Sequence, residues 1–429
     1  MRASRPTRAE PWTPPFVRYH RGMAKPVFFL GGAQTDFARN LAREQLELAD
    51  LVREVTLGAL EDAGLGARAV QSVHVGNAFG ELFTGQAQMG ALPATVVREL
   101  DGVPASRHEG ACASGSLALL AAAAEIEAGR YDCVLVVGAE QERNVPGEIA
   151  ARHLGAAAWT GHEALDARYV WPSMFSRITD TLLERSPRGP TRPHLSAIAR
   201  KNFANAKDNP FAQTRSWSFG EHAFDDDDVA NPVVEGRVRR QDCGQVTDGA
   251  AAVVLASESF ARALGALDER PRIVGWGHRT AALSLDEKVR RGEGDPYLLP
   301  HLRGAITDAY RRAEIGGPFD LAGIETHDCF TVTEYLALDH LGLAPPGEAW
   351  RAIEEGVCER RGRVPVNPSG GLIGLGHPVG ATGVRMALDA CRQVSGRAGA
   401  AQNDGARRFG TLNIGGSATT VVSFVWGRE

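Results

Sequence analysis

The sequence predicts an α/β fold in which strands and helices alternate along most of the chain. Short, uniformly apolar runs such as Cys133–Glu140 and Thr247–Ser257 predict buried strands. Segments such as Leu46–Ala63, with a hydrophobic period near 3.6 residues, predict the helices between them. Alternation of this kind is typical of sheets covered by helices, and it argues against all-helical and all-strand folds.

One helix indicates that the fold has more than two layers. The residues from Leu117 to Ile126 are apolar on nearly every side, so this helix must be buried all round. It lies in the run GACASGSLALLAAAAEI, which is similar to the later run HPVGATGVRMALDACRQV, since both are small-residue turns that open an apolar helix. The pair suggests two related halves, although glycine- and alanine-rich chains also produce such echoes by chance.

Size and charge narrow the class of protein. The chain has 429 residues, 43% of them hydrophobic, which is enough for two core-bearing units. Its net charge of -5 provides no field that would attract nucleic acid or an anionic membrane. No apolar stretch is long enough to span a bilayer. We therefore expect neither nucleic-acid nor membrane partners.

The cysteine spacing bears on compartment and metal binding. Six cysteines are scattered along the chain without a CxxC pair. That spacing argues against a zinc knuckle and against the disulfide framework of a secreted protein. Reduced thiols in the cytoplasm are therefore expected, and no metal site is predicted.

Two segments depart from the alternating pattern. Residues 1–24 are rich in arginine and proline and lack a helical period, which predicts a disordered tail or a non-native start. Residues 141–240 mix tryptophan, proline, histidine and charge with little periodicity. This second segment is expected to be an excursion from the layered core.

Cys112 is the first candidate for chemistry. It lies among small residues, in GACASGS, where the buried helix begins. The free N–H groups of a helix N-terminus stabilise a thiolate, which can attack a thioester, and they can also hold the resulting oxyanion. A buried structural cysteine is an equally good interpretation of the local sequence, because that is the common fate of this residue type.

Three further segments combine polar side chains with glycines. His377 lies in GLGHPVGATG, a loop that can present its imidazole to a cavity as a base, although a surface histidine in a turn is the alternative. His327 and Cys329 lie in ETHDCFT, directly after a short apolar strand, which suggests a catalytic edge more than a metal site. The turn NIGGS, from Asn413 to Ser417, can offer backbone N–H donors to an oxyanion.

Together these four segments resemble the thiolase superfamily, from about Pro26 to Trp426. The specific blocks are ACASGS, THDCF, GHPVGATG and the closing NIGG. The THDCF form is similar to the branch represented by the thiolase domain of sterol carrier protein. The resemblance implies a five-layered α-β-α-β-α sandwich of two similar halves, residues 25–260 and 261–429. It also implies that residues 141–240 form an inserted loop domain that binds coenzyme A.

The resemblance assigns a role to each candidate. Cys112 matches the acylated nucleophile and His377 the base that activates it. His327 and His377 match the groups that hold one oxyanion, while the N–H groups of Cys112 and Gly415 hold the other. Where most thiolases have an acid/base cysteine, two residues before that glycine, this chain has Asn413. The HDCF branch implies Cys329 as the replacement.

The implied activity is that of an acetyl-CoA acetyltransferase or 3-ketoacyl-CoA thiolase in lipid metabolism. Coenzyme A and acyl-CoA would be substrates, with no permanently bound cofactor, and Gly244 and Ser369 are expected to contact coenzyme A. A homodimer or dimer of dimers is implied, with a small zinc-ribbon or OB-fold protein as a further partner. The alternatives are a non-catalytic, thiolase-like scaffold subunit and a specialised condensing or acetylating enzyme.

Overall fold

The computed structural model describes residues 25–265 and 267–428. The expectation for residues 1–24 lies outside this range. The strands, in chain order, are β1 Val27–Gln34, β2 Ser72–Gly76, β3 Ala105–His108, β4 Cys133–Glu140, β5 Val233–Glu235, β6 Val238–Arg239, β7 Gly249–Ser257, β8 Arg272–Thr280, β9 Ile324–Thr326, β10 Arg408–Gly415 and β11 Thr420–Gly427.

Helices connect and cover these strands. In chain order they are α1 Leu41–Glu44, α2 Leu48–Ala63, α3 Gly80–Thr84, α4 Leu92–Val96, α5 Ser114–Glu127, α6 Gly147–Gly155, α7 Val170–Arg185, α8 Arg192–Ala206, α9 Glu258–Ala263, α10 Leu285–Arg291, α11 Pro300–Arg312, α12 Thr331–Leu341, α13 Ala349–Glu354, α14 Gly371–Leu375 and α15 Thr382–Val394.

The strand order repeats between the two halves of the chain. The main sheet runs β3-β2-β4-β7-β1-β8-β11-β10-β9, and a single residue pair, Phe28 with Arg272, joins β1 to β8. Counted outward from that seam, the N-terminal strands appear in the order first, fifth, fourth, second, third. The C-terminal strands follow the same order when the bridge between Ile324 and Val366 supplies the third position. The internal echo in the sequence therefore reflects a repeated topology.

Five layers follow from the packing of the core. Helices α5 and α15 fill the space between the two half-sheets, and small residues let them approach closely. A Cβ on Gly115 would lie 2.7 Å from the Gly380 carbonyl oxygen, so only glycine fits there. Helix α2 covers the outer face of the N-terminal half-sheet, and α11 and α12 cover that of the C-terminal half-sheet. The α-β-α-β-α sandwich is confirmed.

The excursion between β4 and β7 contains α6, α7, α8 and the β5–β6 hairpin. Its apolar side chains, including Phe175, Ile178 and Leu195, share a core with Leu302 and Leu336 of the C-terminal half. The segment is therefore packed against the fold, where it can form one wall of a cavity. Within the described ranges, no helix combines the length and apolar character that crossing a membrane requires.

Candidate active site

A strained turn presents Cys112 at the entrance to α5. Ala111 has φ of 51°, a left-handed conformation that costs a non-glycine residue of the order of 1–3 kcal/mol. Ser114 holds the turn, because its hydroxyl donates to the Ala111 carbonyl at 2.6 Å and accepts the Gly110 N–H at 3.0 Å. The Cys112 side chain lies on the wall of a cavity of about 450 Å³. Burial, followed by the Glu142 carboxylate, raises the pKa of its thiol to about 12.

His377 faces the same cavity with one ring nitrogen. Its Nδ1 lies 2.7 Å from the Thr382 hydroxyl, which itself donates to the Pro378 carbonyl at 3.2 Å. Because that hydroxyl proton is used, Nδ1–H of His377 donates to Thr382 and Nε2 carries the free lone pair. Burial lowers the pKa of His377 to about 3, so the ring is neutral at physiological pH. A neutral imidazole with a free Nε2 can accept a thiol proton.

His327 follows β9, and its ring lies edge-on to that of His377. The ring centroids are 5.2 Å apart and the planes meet at 82°. Nδ1 of His327 lies 3.3 Å from the Asn413 side-chain nitrogen, while its buried Nε2 has no hydrogen-bond partner among the described residues. Burial and the neighbouring His377 lower the pKa of His327 well below its ordinary value, so this ring is neutral too.

The fold brings these three side chains together from distant parts of the chain. The Cys112 sulfur, a ring nitrogen of His327 and a ring nitrogen of His377 all lie within 4.8 Å of one another. A thiol and two imidazoles thus lie close enough to one another to act on a single reacting group. The same three atoms are a ligand set that a zinc ion could use.

Cys329 lies on the wall of the same cavity. Its sulfur is 3.6 Å from the Thr333 hydroxyl. Burial, with the Cys112 thiol next in size, raises the pKa of Cys329 well above its ordinary value. A second thiol therefore stands close enough to Cys112 for the two to affect each other electrostatically.

Asp328, between His327 and Cys329, is a structural anchor. Its carboxylate accepts the N–H groups of Leu372 at 2.6 Å and Ile373 at 3.2 Å, and the Asn202 amide at 2.8 Å. These bonds tie the loop after β9 to α14, which leads directly into the His377 loop. The carboxylate thereby fixes the two histidine-bearing loops relative to each other.

Gly415 stays a predicted donor to an oxyanion, and the backbone N–H that acts on the Cys112 thiol belongs to its neighbour Gly416. The N–H of Gly416 and that of Cys112 itself oppose the rise in the thiol pKa, as donors to a negative sulfur would. Gly415 also has a structural role. A Cβ there would lie 2.1 Å from the Gly110 carbonyl oxygen, so glycine is needed for β10 to pass close to the Cys112 turn.

Of the two positions predicted to contact coenzyme A, only Gly244 lines the cavity. Ser369 lies elsewhere, buried beneath the surface, where its hydroxyl donates to a Glu325 carboxylate oxygen at 2.6 Å. Ser369 thus lies beside the buried ion pair of Glu325 and Arg385, outside the cavity that Cys112 lines, and its contact with coenzyme A stays a prediction. The remaining wall is largely apolar and aromatic, formed by Phe79, Leu154, Tyr169, Trp171, Phe175 and Phe330.

Sequence reasoning did not single out Glu142 and Cys243, two polar groups on the cavity wall. Glu142 is 1% exposed and accepts the Val379 N–H at 3.0 Å. Burial, followed by the nearby Glu140 carboxylate, raises the pKa of Glu142 well above its ordinary value. No local signal marks Glu142, since a glutamate just beyond the end of a strand usually reaches solvent.

Comparison with known proteins places the chain in a family. Residues 27–213 match the model described as thiolase, N-terminal domain, and residues 291–428 match thiolase C-terminal domain-like. The chain is 31% identical over 403 residues to an acetyl-CoA acetyltransferase of Methanothermobacter thermautotrophicus, covering 94% of this chain and 99% of the relative. It is 30% identical over 416 residues to sterol carrier protein 2 of Gallus gallus, covering 94% of this chain and 72% of that protein.

Solved structures show the same fold. A structure titled Ltp2-ChsH2(DUF35) aldolase superposes with a TM-score of 0.74 at 22% identity, covering 94% of this chain and 98% of that one. An acetyl-CoA acetyltransferase from Syntrophomonas wolfei superposes with a TM-score of 0.67 at 19% identity, covering 95% and 100%. The family models, the relatives and the repeated five-layered topology lead to one conclusion: the chain is a member of the thiolase family.

Proposed function

We propose that the protein is an acyltransferase that forms or cleaves 3-ketoacyl-CoA through an acyl-enzyme on Cys112. The observation that carries the proposal is the convergence of the Cys112 sulfur with ring nitrogens of His327 and His377 inside 4.8 Å. Similarity to an acetyl-CoA acetyltransferase at 31% identity supports the same reaction class.

Acyl transfer is the first half-reaction. The Cys112 sulfur attacks the thioester carbonyl carbon of an acyl-CoA while Nε2 of His377 takes the thiol proton. The N–H groups of Cys112 and Gly415 are the proposed donors to the oxyanion that forms, and the N–H of Gly416 beside them favours the thiolate form of Cys112. Coenzyme A then leaves with the proton of Cys329, so that a Cys329 thiolate stands beside a protonated His377.

Carbon–carbon bond formation is the second half-reaction. The Cys329 thiolate removes an α-proton from a second acyl-CoA, and burial makes this thiolate a strong base once it exists. The carbanion attacks the acyl carbon on Cys112, and the Cys112 sulfur leaves and recovers its proton from His377. The released product is 3-ketoacyl-CoA. In reverse, the same groups cleave it.

Coenzyme A is the proposed carrier. Arg240 is exposed and lies on the cavity wall, where its guanidinium suits a phosphate. Gly244 contributes a side-chain-free wall, since the nearest atom to a Cβ there would be the Cys329 carbonyl oxygen at 3.3 Å. We propose coenzyme A and acyl-CoA as substrates, without a permanently bound cofactor.

Two alternatives remain under the same family. A non-catalytic scaffold subunit has no use for the convergence of Cys112 with His327 and His377, or for Cys329 on the same cavity wall, so the complete set argues against it. A specialised condensing or acetylating enzyme would use the same first half-reaction with another acceptor, and the aromatic wall suits a bulky acyl group. Intact-mass analysis after incubation with acyl-CoA distinguishes the thiolase, the scaffold subunit and the specialised enzyme.

The oligomeric state, a partner protein and the cellular compartment are proposed on other grounds than the site geometry. We propose a homodimer or dimer of dimers, because such folds bury an exposed sheet edge by pairing. A small partner is proposed because the structure titled Ltp2-ChsH2(DUF35) aldolase, which names two components, has a similar fold. The cytoplasm is proposed from the free cysteines.

The test is intact-mass analysis of the protein after incubation with acetyl-CoA alone, and with acetoacetyl-CoA plus coenzyme A. We expect one acetyl group on the protein, mapped to Cys112, and thiolysis in the second incubation. Cys112→Ala should abolish both. An adduct on Cys112 without carbon–carbon chemistry would indicate the specialised acyltransferase, and the absence of any adduct with a range of acyl-CoA donors would indicate the scaffold.

A further inference from the structure

We propose that Asn413 is a positioning residue that fixes the tautomer of His327, so that Nε2–H of His327 faces the reacting atoms as a hydrogen-bond donor. The inference deepens the proposed function and rests on it for its catalytic consequence. The structural part concerns only where one proton resides, and it can be tested without any turnover.

The first step is the orientation of the Asn413 amide. Asn413 is 1% exposed, so water does not satisfy its side chain. The Ser116 hydroxyl, from the first turn of α5, donates to Oδ1 of Asn413 at 2.8 Å. With Oδ1 occupied in this way, Nδ2 is the atom left to face His327, and it lies 3.3 Å from Nδ1 of that ring.

The second step is the consequence for the ring. An amide NH₂ can only donate, so Nδ1 of His327 must accept. A neutral imidazole carries one proton, and the hydrogen bond at one nitrogen decides where it resides. His327 is neutral because burial and His377 lower its pKa well below the ordinary value. Its proton is therefore on Nε2, the buried atom without a partner among the residues described.

The tautomer of His377 supports the same proton position on His327, independently of the Asn413 amide. The Thr382 hydroxyl fixes the opposite tautomer there, with a free lone pair on Nε2. If His327 also presented a lone pair, two ring nitrogens and a sulfur that must become negative would face one another without a donor. With Nε2–H on His327 the pair is complementary, with one acceptor for the thiol proton and one donor for a developing oxyanion.

The chemistry explains why an asparagine suits this position. A carboxylate would accept from Nδ1–H and turn the free lone pair of His327 toward the reacting atoms. An apolar side chain would leave Nδ1 buried and unpaired, at a cost of about 1–3 kcal/mol. An amide donates without adding charge beside the Cys112 sulfur. Asn413 therefore does not itself react at this position. It orients His327, which faces the reacting atoms.

The test is long-range ¹⁵N–¹H NMR on the full-length protein labelled with ¹⁵N-histidine, with His327→Gln to assign the resonances. We expect the wild-type His327 to show a protonated Nε2 and a bare Nδ1, and Asn413→Asp to reverse this pattern or to protonate both nitrogens. Asn209→Asp, a buried asparagine whose amide bonds to the Ser369 carbonyl outside the cavity, should leave the His327 signals unchanged.

Kinetics supply the second readout. Asn413→Asp should reduce exchange of acetyl-CoA α-protons by about 10²–10³, as expected for loss of one oxyanion donor. Ser116→Ala, which frees the amide to rotate, should give a smaller loss and a mixed tautomer. A protonated Nδ1 in the wild type would overturn the inference even if the variants failed to fold. So would an unchanged tautomer in a folded Asn413→Asp. Absence of an acyl-enzyme with the expected tautomer would instead refute the proposed function alone.

Discussion

The Glu142 carboxyl and the Cys112 thiol lie on the wall of one cavity, and Glu142, when it is ionised, is the charged group that raises the thiol pKa most. Burial makes the larger contribution and brings that pKa to about 12. At neutral pH Cys112 is therefore a thiol, and in the proposed mechanism its thiolate forms when His377 takes the proton during attack.

The first prediction concerns alkylation of Cys112 by iodoacetamide, which reacts with thiolates. In the wild type, the rate of Cys112 alkylation should be low at pH 7 and should rise about tenfold for each unit of pH. Glu142→Gln should react faster at alkaline pH, by up to about tenfold, because a pKa shift of one unit changes the thiolate fraction by that factor. Mass spectrometry of the Cys112 peptide measures the rates.

The matched control for that prediction is Glu127→Gln, which removes a carboxyl at the far end of α5, outside the cavity. It should leave the rate of Cys112 alkylation unchanged. The ratio between Glu142→Gln and wild type should grow with pH as Glu142 ionises. A ratio of one from pH 6 to pH 10 would show that Glu142 exerts no electrostatic effect on the thiol.

The second prediction concerns Cys329→Ala. This variant should still form an acyl-enzyme on Cys112, because attack needs only Cys112, His377 and backbone donors. Exchange of acetyl-CoA α-protons with deuterated solvent should fall by about 10²–10⁴, the usual contribution of a general base. The exchange is followed by NMR of acetyl-CoA.

Cys358→Ala is the control for Cys329, since Cys358 is a buried thiol outside the cavity that donates to the Ala352 carbonyl. It should keep both acylation and exchange. Undiminished exchange in Cys329→Ala would remove Cys329 from the mechanism and direct the search for the base to His327.

The strands and helices of the core could be predicted because the hydrophobic pattern of each segment indicates that it is buried. The strand Cys133–Glu140 has the predicted bounds, and the predicted helix Leu46–Ala63 begins at Leu48. The strand Ala105–His108 was missed, since ASRH has no apolar pattern and is a strand only because it pairs with β2. Helix α7 was missed because Pro172 argues against a helix, yet proline is tolerated in a first turn, where N–H groups lack partners.

Motif position predicted which loops meet at the site, but not which atoms face the cavity. Cys112, His327, Cys329 and His377 lie around one space. The position of the Gly416 N–H beside Cys112 and the position of Ser369 outside the cavity both depend on backbone direction within tight turns. Residue type does not determine that direction. Glu142 escaped attention because its burial results from neighbouring loops, whose approach is a property of the tertiary structure.

The third prediction concerns zinc, for which no site was expected from the sequence. The Cys112 sulfur and the two histidine nitrogens form a set of soft and borderline ligands, so added Zn²⁺ should inhibit acylation, and EDTA should reverse the inhibition. Mg²⁺ should not inhibit, because it prefers oxygen ligands. Equal affinity of Zn²⁺ for wild type and Cys112→Ala in calorimetry would exclude this mode of inhibition.

The fourth prediction concerns the contact between α5 and α15, the helices that follow Cys112 and His377 in the chain. A Cβ on Gly383 would lie 2.3 Å from the Ser116 backbone nitrogen, so Gly383→Ala must push the two helices apart. We expect a loss of about 1–3 kcal/mol in the free energy of unfolding, the usual cost of overpacking.

Gly304→Ala is the matched control, because Gly304 lies within helix α11 and a Cβ there would meet only the Arg279 side chain, at 3.6 Å. That change should stabilise the protein by about 0.5–1 kcal/mol, because alanine restricts the unfolded chain. Urea denaturation measures both variants, and acylation of Cys112 should fall only in Gly383→Ala. If Gly383→Ala were as stable and as active as Gly304→Ala, close contact between these helices would not be what holds the two catalytic loops together.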